Sequence, residues 1–194
     1  MARGADNASQ PPSPKVAQAP AAIPGTLPKG PGTNPLSVGH MAAFVFKPEP
    51  QDIPQLPFLD ADGKQRTLKE WNGKVVLLNL WATWCAPCRK EMPDLERLQA
   101  ELGSKDFEVI AISADRSGIA GAKKFLDEIK VSHLGVYSDP TVRIHSGLKA
   151  VGMPTTLILD RQGREVGRLV GPAEWASDDA KRLIRAVIQA TAKN

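Results

Sequence analysis

Two cysteines among 194 residues are too few to staple a disulfide-dense secreted scaffold or to fill a four-thiolate zinc ribbon. Three scattered histidines do not make up that shortfall. No run of 18 apolar residues occurs, so no segment reads as a membrane-spanning helix. The formal charge of +4 is too small to argue for a nucleic-acid partner. What is left, at 42% hydrophobic and 24% charged, is chain enough for one globular domain with residues to spare.

The spare residues lie at the N-terminus. Residues 1–40 carry eight of the 17 prolines and no aromatic residue, and their only charged residues are Arg3, Asp6, Lys15 and Lys29. Ordering a residue costs about 1–2 kcal/mol, which so little apolar surface cannot offset. Residues 1–43 are therefore expected to form a flexible Pro/Ala/Gly-rich tail or linker, and residues 44–194 the domain. Polar residues follow Met1-Ala2-Arg3-Gly4, so no apolar core of a signal peptide is legible.

Within the domain, strand and helix patterns alternate. Leu56–Leu59 and Arg66–Leu68 flank Asp60-Ala61-Asp62-Gly63 and predict an N-terminal hairpin. The apolar run from Lys74 to Trp81 predicts a central strand covered on both faces. A helix follows from Pro87 to Leu102, interrupted by Pro93 and ended by Gly103. Phe107–Ile112 reads as a strand, Ile119–Ile129 as a helix and Leu134–Tyr137 as a short strand. Asp139-Pro140 is expected to open a further helix. Thr155–Leu159 and Glu165–Val170 form a second hairpin, and Ser177 caps a last helix with an apolar face. The pattern implies an α/β layered sheet closed by an antiparallel hairpin.

The sharpest feature is Trp84-Cys85-Ala86-Pro87-Cys88, between a buried strand and a helix. The spacing puts both sulfurs on one side of the first turn, where they can close a short disulfide. Orphan N–H groups and the macrodipole at the helix start favour an anion, drawing the Cys85 thiol below its ordinary range. Cys85 is the expected exposed, attacking sulfur; Cys88, a turn deeper, is the sheltered, resolving one. A lone C-x-x-C also occurs as half a zinc site or as a structural bridge. Here no second ligand pair accompanies it, and so small a loop would be a poor staple.

The segment Leu78-Asn79-Leu80-Trp81-Ala82-Thr83-Trp84-Cys85-Ala86-Pro87-Cys88-Arg89-Lys90-Glu91-Met92-Pro93 resembles the active-site segment of the TlpA/ResA-like family of bacterial extracytoplasmic thioredoxins. Gly152-Met153-Pro154-Thr155 resembles their cis-proline loop, and Gly171–Ala176 is similar to a further segment of TlpA-type members. The likeness covers about residues 50–190. It implies a thioredoxin-like fold with a central mixed β-sheet flanked by helices, an N-terminal β-hairpin and a strand–helix insertion at about 134–149. It further implies catalytic Cys85 and Cys88, with Glu91, on the same helical face as Cys88, holding or accepting the Cys88 proton. The alternative for Glu91 is an exposed residue pairing with Arg89 or Lys90. Trp84, Ala86, Pro87, Met153 and Pro154 are the implied substrate-binding residues, with a cis Met153–Pro154 bond. Two departures stand out: the family's N-terminal membrane anchor is not seen, and Asn79 stands where thioredoxin has a buried aspartate.

The implied activity is thiol:disulfide exchange, as a reductase of protein disulfides in cytochrome c or cytochrome oxidase copper-centre maturation. Its clients would be a copper chaperone, an oxidase subunit or apocytochrome c, and its electron donor a membrane thiol reductase. A periplasmic monomer is expected, membrane-anchored in a native full-length form. No metal, flavin or nicotinamide site is legible. A copper chaperone on the same fold is one alternative, since thiolates suit Cu(I); a thiol-dependent peroxidase is another, though no Pro-x-x-x-Thr-x-x-Cys site is present.

Overall fold

The computed structural model describes residues 34–192. Its centre is an eight-stranded mixed sheet in the order β1-β8-β7-β4-β5-β6-β2-β3. The middle strand, β4 (Val75–Trp81), is buried at every position, as its unbroken apolar run requires. It runs parallel to β5 (Phe107–Ser113) and antiparallel to β7 (Thr155–Leu159). Beyond β7 lies β8 (Glu165–Val170), and outermost on that side is β1 (Val45–Gln51). On the other side, β6 (Tyr137–Ser138) leads to the hairpin β2 (Phe58–Leu59) and β3 (Gln65–Arg66).

Alternation along β4 sorts its side chains into two cores. Val75, Leu77 and Trp81 face α1 (Ala86–Leu102), α2 (Gly118–Glu128) and α4 (Asp178–Ala190). Val76, Leu78 and Leu80 face Phe58, the 3₁₀ turn Leu68–Trp71, and Ile144 on α3 (Arg143–Gly147). On α1 the buried residues Cys88, Glu91, Met92, Leu95 and Leu98 form one stripe at helical spacing, and the helix continues across Pro93. Ser177 caps α4 by accepting the Ala180 amide.

Several sequence expectations need correction. The tail expected over 1–43 lies outside the described residues at 1–33, but 34–43 pack onto the domain. Leu36 and Met41 are buried in the helical-side core, and the His40 amide donates to Asp179 on α4. Two apolar anchors suffice for this short segment, which bulk composition does not reveal. Gly39 has φ +55°, and a Cβ there would lie 2.0 Å from the Asp179 carboxylate.

Strand β1 was not legible because Pro48 and Pro50 interrupt its pattern; as an edge strand with an irregular register it tolerates both. The strand expected at Leu134–Tyr137 shrinks to Tyr137–Ser138. The amides of Ser132, His133 and Leu134 donate instead to the Glu96 carboxylate on α1. The helix expected at Asp139-Pro140 starts only at Arg143. Asp139 still accepts the Ile144 amide, but Val142 intervenes in a left-handed conformation. Gly103 ends α1 without that conformation; a Cβ there would sit 2.4 Å from the Gln99 carbonyl. Among the described residues, no helix is long and apolar enough to cross a membrane.

Candidate active site

Strand β4 delivers the chain to the carboxyl edge of the sheet, and the cysteine motif follows at once. Cys85 is the N-cap residue of α1, in extended conformation, and its Sγ accepts the Cys88 amide at 3.3 Å. A sulfur placed there receives an orphan N–H and the positive end of the helix, the setting that favours thiolate when the bond is opened. The two sulfurs are joined as a disulfide, with Cα atoms 5.3 Å apart. Cys85 is 5% exposed and Cys88 fully buried. Cys85 is therefore not the exposed sulfur expected of it: in the closed pair both sulfurs belong to buried residues.

Trp84 stands out into solvent at 70% exposure, and Ala86 and Pro87 are also exposed. Strand pairing of Leu80 with Thr155 brings the loop before β7 to this same edge. Pro154 there is buried, the Met153–Pro154 peptide is cis, and Met153 packs half-buried against the core that includes both cysteines. His133 pairs with Glu96. Trp81 and Trp175 are fully buried core residues. Among the described residues, no group of three or more His, Cys, Asp or Glu is placed to hold a metal ion.

Glu91 is buried at 3% exposure. The alternative of an exposed ion pair fails: Arg89 instead stacks over the Phe125 ring, 4.7 Å from its centroid. The Glu91 carboxyl accepts the Asn79 side-chain amide at 2.8 Å and the Ala173 backbone N–H at 3.2 Å. Asn79 also donates to Thr156 Oγ1 at 2.9 Å, its direct cross-strand partner on β7. Desolvation raises the Glu91 pKa from 4.5 to about 7, against the pull of these donors. The Trp175 indole lies near enough to favour the carboxylate but short of hydrogen-bond geometry. A neutral amide and one peptide N–H do not replace lost water for a full charge.

One residue escaped sequence reasoning. Asp115, 4% exposed, accepts the Thr83 amide and hydroxyl and the Ser113 hydroxyl at 2.7–2.8 Å. The pairing of Trp81 with Ser113 sets β4 and β5 in register, so that Asp115 fixes the loop two residues before Cys85. An acidic residue just past a buried strand was the available signal.

Two hollows adjoin the motif. One, about 520 Å³, is lined by Ala86, Pro87, Lys90, Glu91, Asp94 and the Pro172–Glu174 loop among others. The other, about 450 Å³, lies beside Trp84, Met153, Val142 and the start of α2.

A capped, closable sulfur pair on a strand-to-helix turn, facing a proline loop, defines a dithiol–disulfide exchange protein of thioredoxin-like fold. Residues 43–184 match the Redoxin family model, and the chain belongs to that family. It is 34% identical over 127 residues to the thiol-disulfide oxidoreductase ResA of Bacillus thuringiensis (strain Al Hakam), covering 62% of this chain and 69% of that protein. It is 36% identical over 123 residues to the thioredoxin-like protein YneN of Bacillus subtilis (strain 168), covering 59% and 67%. Among solved structures it is similar to a secreted thiol-disulfide isomerase from Corynebacterium glutamicum, with TM-score 0.62, 26% identity, and coverage of 75% of this chain and 92% of that one. The chain is a thiol:disulfide oxidoreductase.

Proposed function

We propose that the chain reduces protein disulfides outside the cytoplasm, during maturation of cytochrome c or of the copper centre of cytochrome oxidase. In the reduced enzyme the Cys85 thiolate attacks one sulfur of a client disulfide. A Cys85–client bond forms, the client S–S bond breaks, and the departing client thiolate takes up a proton. Glu91 accepts the Cys88 proton, and the Cys88 thiolate attacks Cys85 Sγ. The second client thiolate leaves and is protonated, and the Cys85–Cys88 bond closes. Two electrons have passed to the client. A membrane thiol reductase returns two electrons and two protons to the pair. Trp84, Ala86, Pro87, Met153 and Pro154 form the client-facing surface, with the backbone of Met153 pairing to an extended client segment as in strand addition.

The observation that carries this reading is Glu91, buried in the same helical stripe as Cys88 with a pKa of about 7. A sheltered thiol that must resolve a mixed disulfide needs a base at hand, and a carboxyl balanced near neutrality serves as one. Disulfide-bearing clients belong to oxidising compartments, which supports an extracytoplasmic address. The domain expected over residues 44–194 is the catalytic unit of this reading, with the preceding Leu36 and Met41 packed into its core.

The test is Cys88→Ala trapping in extract of the native envelope, together with a measured midpoint potential. Mixed disulfides with cytochrome or oxidase assembly proteins and a reducing potential are expected. A potential near the strongly oxidising end, about −120 mV, with nothing trapped would overturn the reading.

A further inference from the structure

The hollow beside Trp84 is lined by neither cysteine nor by Glu91, yet Trp84, the residue before Cys85, and Met153, the residue before Pro154, both form its wall. Its walls are Trp84, Met153 and Val142, with Arg116 at its rim. Val142 belongs to the inserted segment between β6 and β7, and it holds φ +58°, a conformation that β-branched residues rarely take. Arg116 is exposed and has no ion-pair partner among the described residues. The carboxylate of Asp115, the acidic group in the lining, is already occupied by Thr83 and Ser113. Apolar surface continues past the hollow: Val151 is 88% and Val170 46% exposed, and Val170 lies against Gly152. Exposed apolar residues gathered at one end of a sheet mark a contact surface.

We propose that this hollow selects the client: it seats a large apolar side chain next to the client's attacked cysteine, while Arg116 pairs with an acidic residue adjoining it. The proposal rests on the oxidoreductase reading and adds a substrate class to it. At about 450 Å³ the hollow is roomy enough to admit an aromatic or leucine residue together with the chain on either side of it. An unpaired guanidinium at the rim favours a carboxylate there and disfavours an ammonium. Val142 supplies the wall that the inserted segment adds, and its position ties selectivity to that insertion.

The probes are four synthetic peptides, each with one intramolecular disulfide. They carry Phe or Ser next to the first cysteine, crossed with Glu or Lys one residue beyond. The full chain, reduced with dithiothreitol and freed of excess, supplies the two electrons. Second-order rates are compared as ratios among the peptides for each variant. Wild type is expected to favour Phe over Ser by about tenfold and Glu over Lys by about threefold. Arg116→Glu should reverse the charge preference. Val142→Asn, which a left-handed backbone accepts, should cut the Phe preference to about threefold. Equal wild-type rates on all four peptides, or ratios that neither substitution alters, would overturn the proposal. Hydroxyethyl disulfide separates the two levels. No reduction of it by wild type brings down the oxidoreductase reading itself; reduction of it with a flat peptide preference brings down the selectivity alone.

Discussion

Two carboxylates beside the cysteine motif, Glu91 in the hollow with Ala86 and Pro87 and Asp115 in the hollow with Trp84, are almost equally buried, at 3% and 4% exposure. They differ in their donors. Asp115 takes three hydrogen bonds from Thr83 and Ser113, all close to 2.8 Å, and these tie down the loop that presents the cysteines. Glu91 takes an amide side chain and one longer peptide N–H, so burial dominates and its proton is held until about pH 7. One carboxylate thus serves as a strut for the loop, and the other, short of donors for its depth, holds an exchangeable proton.

The comparison has meaning only if the sulfurs perform chemistry, so the largest effect sought is there. Cys85→Ser should abolish insulin-disulfide reduction, and Cys88→Ala should accumulate client mixed disulfides on non-reducing gels. Retained turnover in the first would remove Cys85 from the attacking role. Next, Asp115→Ala leaves the Thr83 amide and two hydroxyls without their acceptor, and should destabilise the chain by about 3–5 kcal/mol. Urea unfolding of the oxidised protein measures this; a loss below about 1 kcal/mol would show that the strut is dispensable.

Glu91→Gln sharpens the other side. A carboxyl whose folded pKa lies near 7 rather than 4.5 binds protons more tightly when folded. Its stabilising effect is complete below about pH 4.5 and is lost as pH rises through about 7, a total of about 3 kcal/mol. The glutamine variant should lack that decline, so unfolding free energies of the two proteins should diverge between those pH values. It should also shift the pH profile of client reduction; parallel curves in both assays would return Glu91 to a packing role. The smallest effect on stability is expected for Trp84→Ala. At 70% exposure its loss should cost less than about 0.5 kcal/mol while slowing client reduction several-fold.

Much of this was legible in the residues. The run Val75–Trp81 announced a strand buried on both faces, and the three-residue spacing put Glu91 on the helical face of Cys88, although only the fold decides between its burial and an exposed pair with Arg89 or Lys90. The cysteine pair and its helix start were equally plain. What sequence withheld depended on partners distant along the chain. Asp115 matters only through the register of β5 on β4. The burial of Leu36 and Met41 depends on α4, and the shortening of β6 on Glu96 claiming three amides. Asn79 meets Thr156 because β7 lies antiparallel beside β4, 77 residues later.

Pro48 and Pro50, which hid β1 from sequence reading, have a use beyond it. They leave gaps in the donor row along the outermost strand, and the opposite margin is the two-residue β3. A sheet trimmed at both borders offers little purchase for lateral growth. A protein that exchanges disulfides with other polypeptides can then meet them at its sulfur end while its sheet borders give them few places to pair.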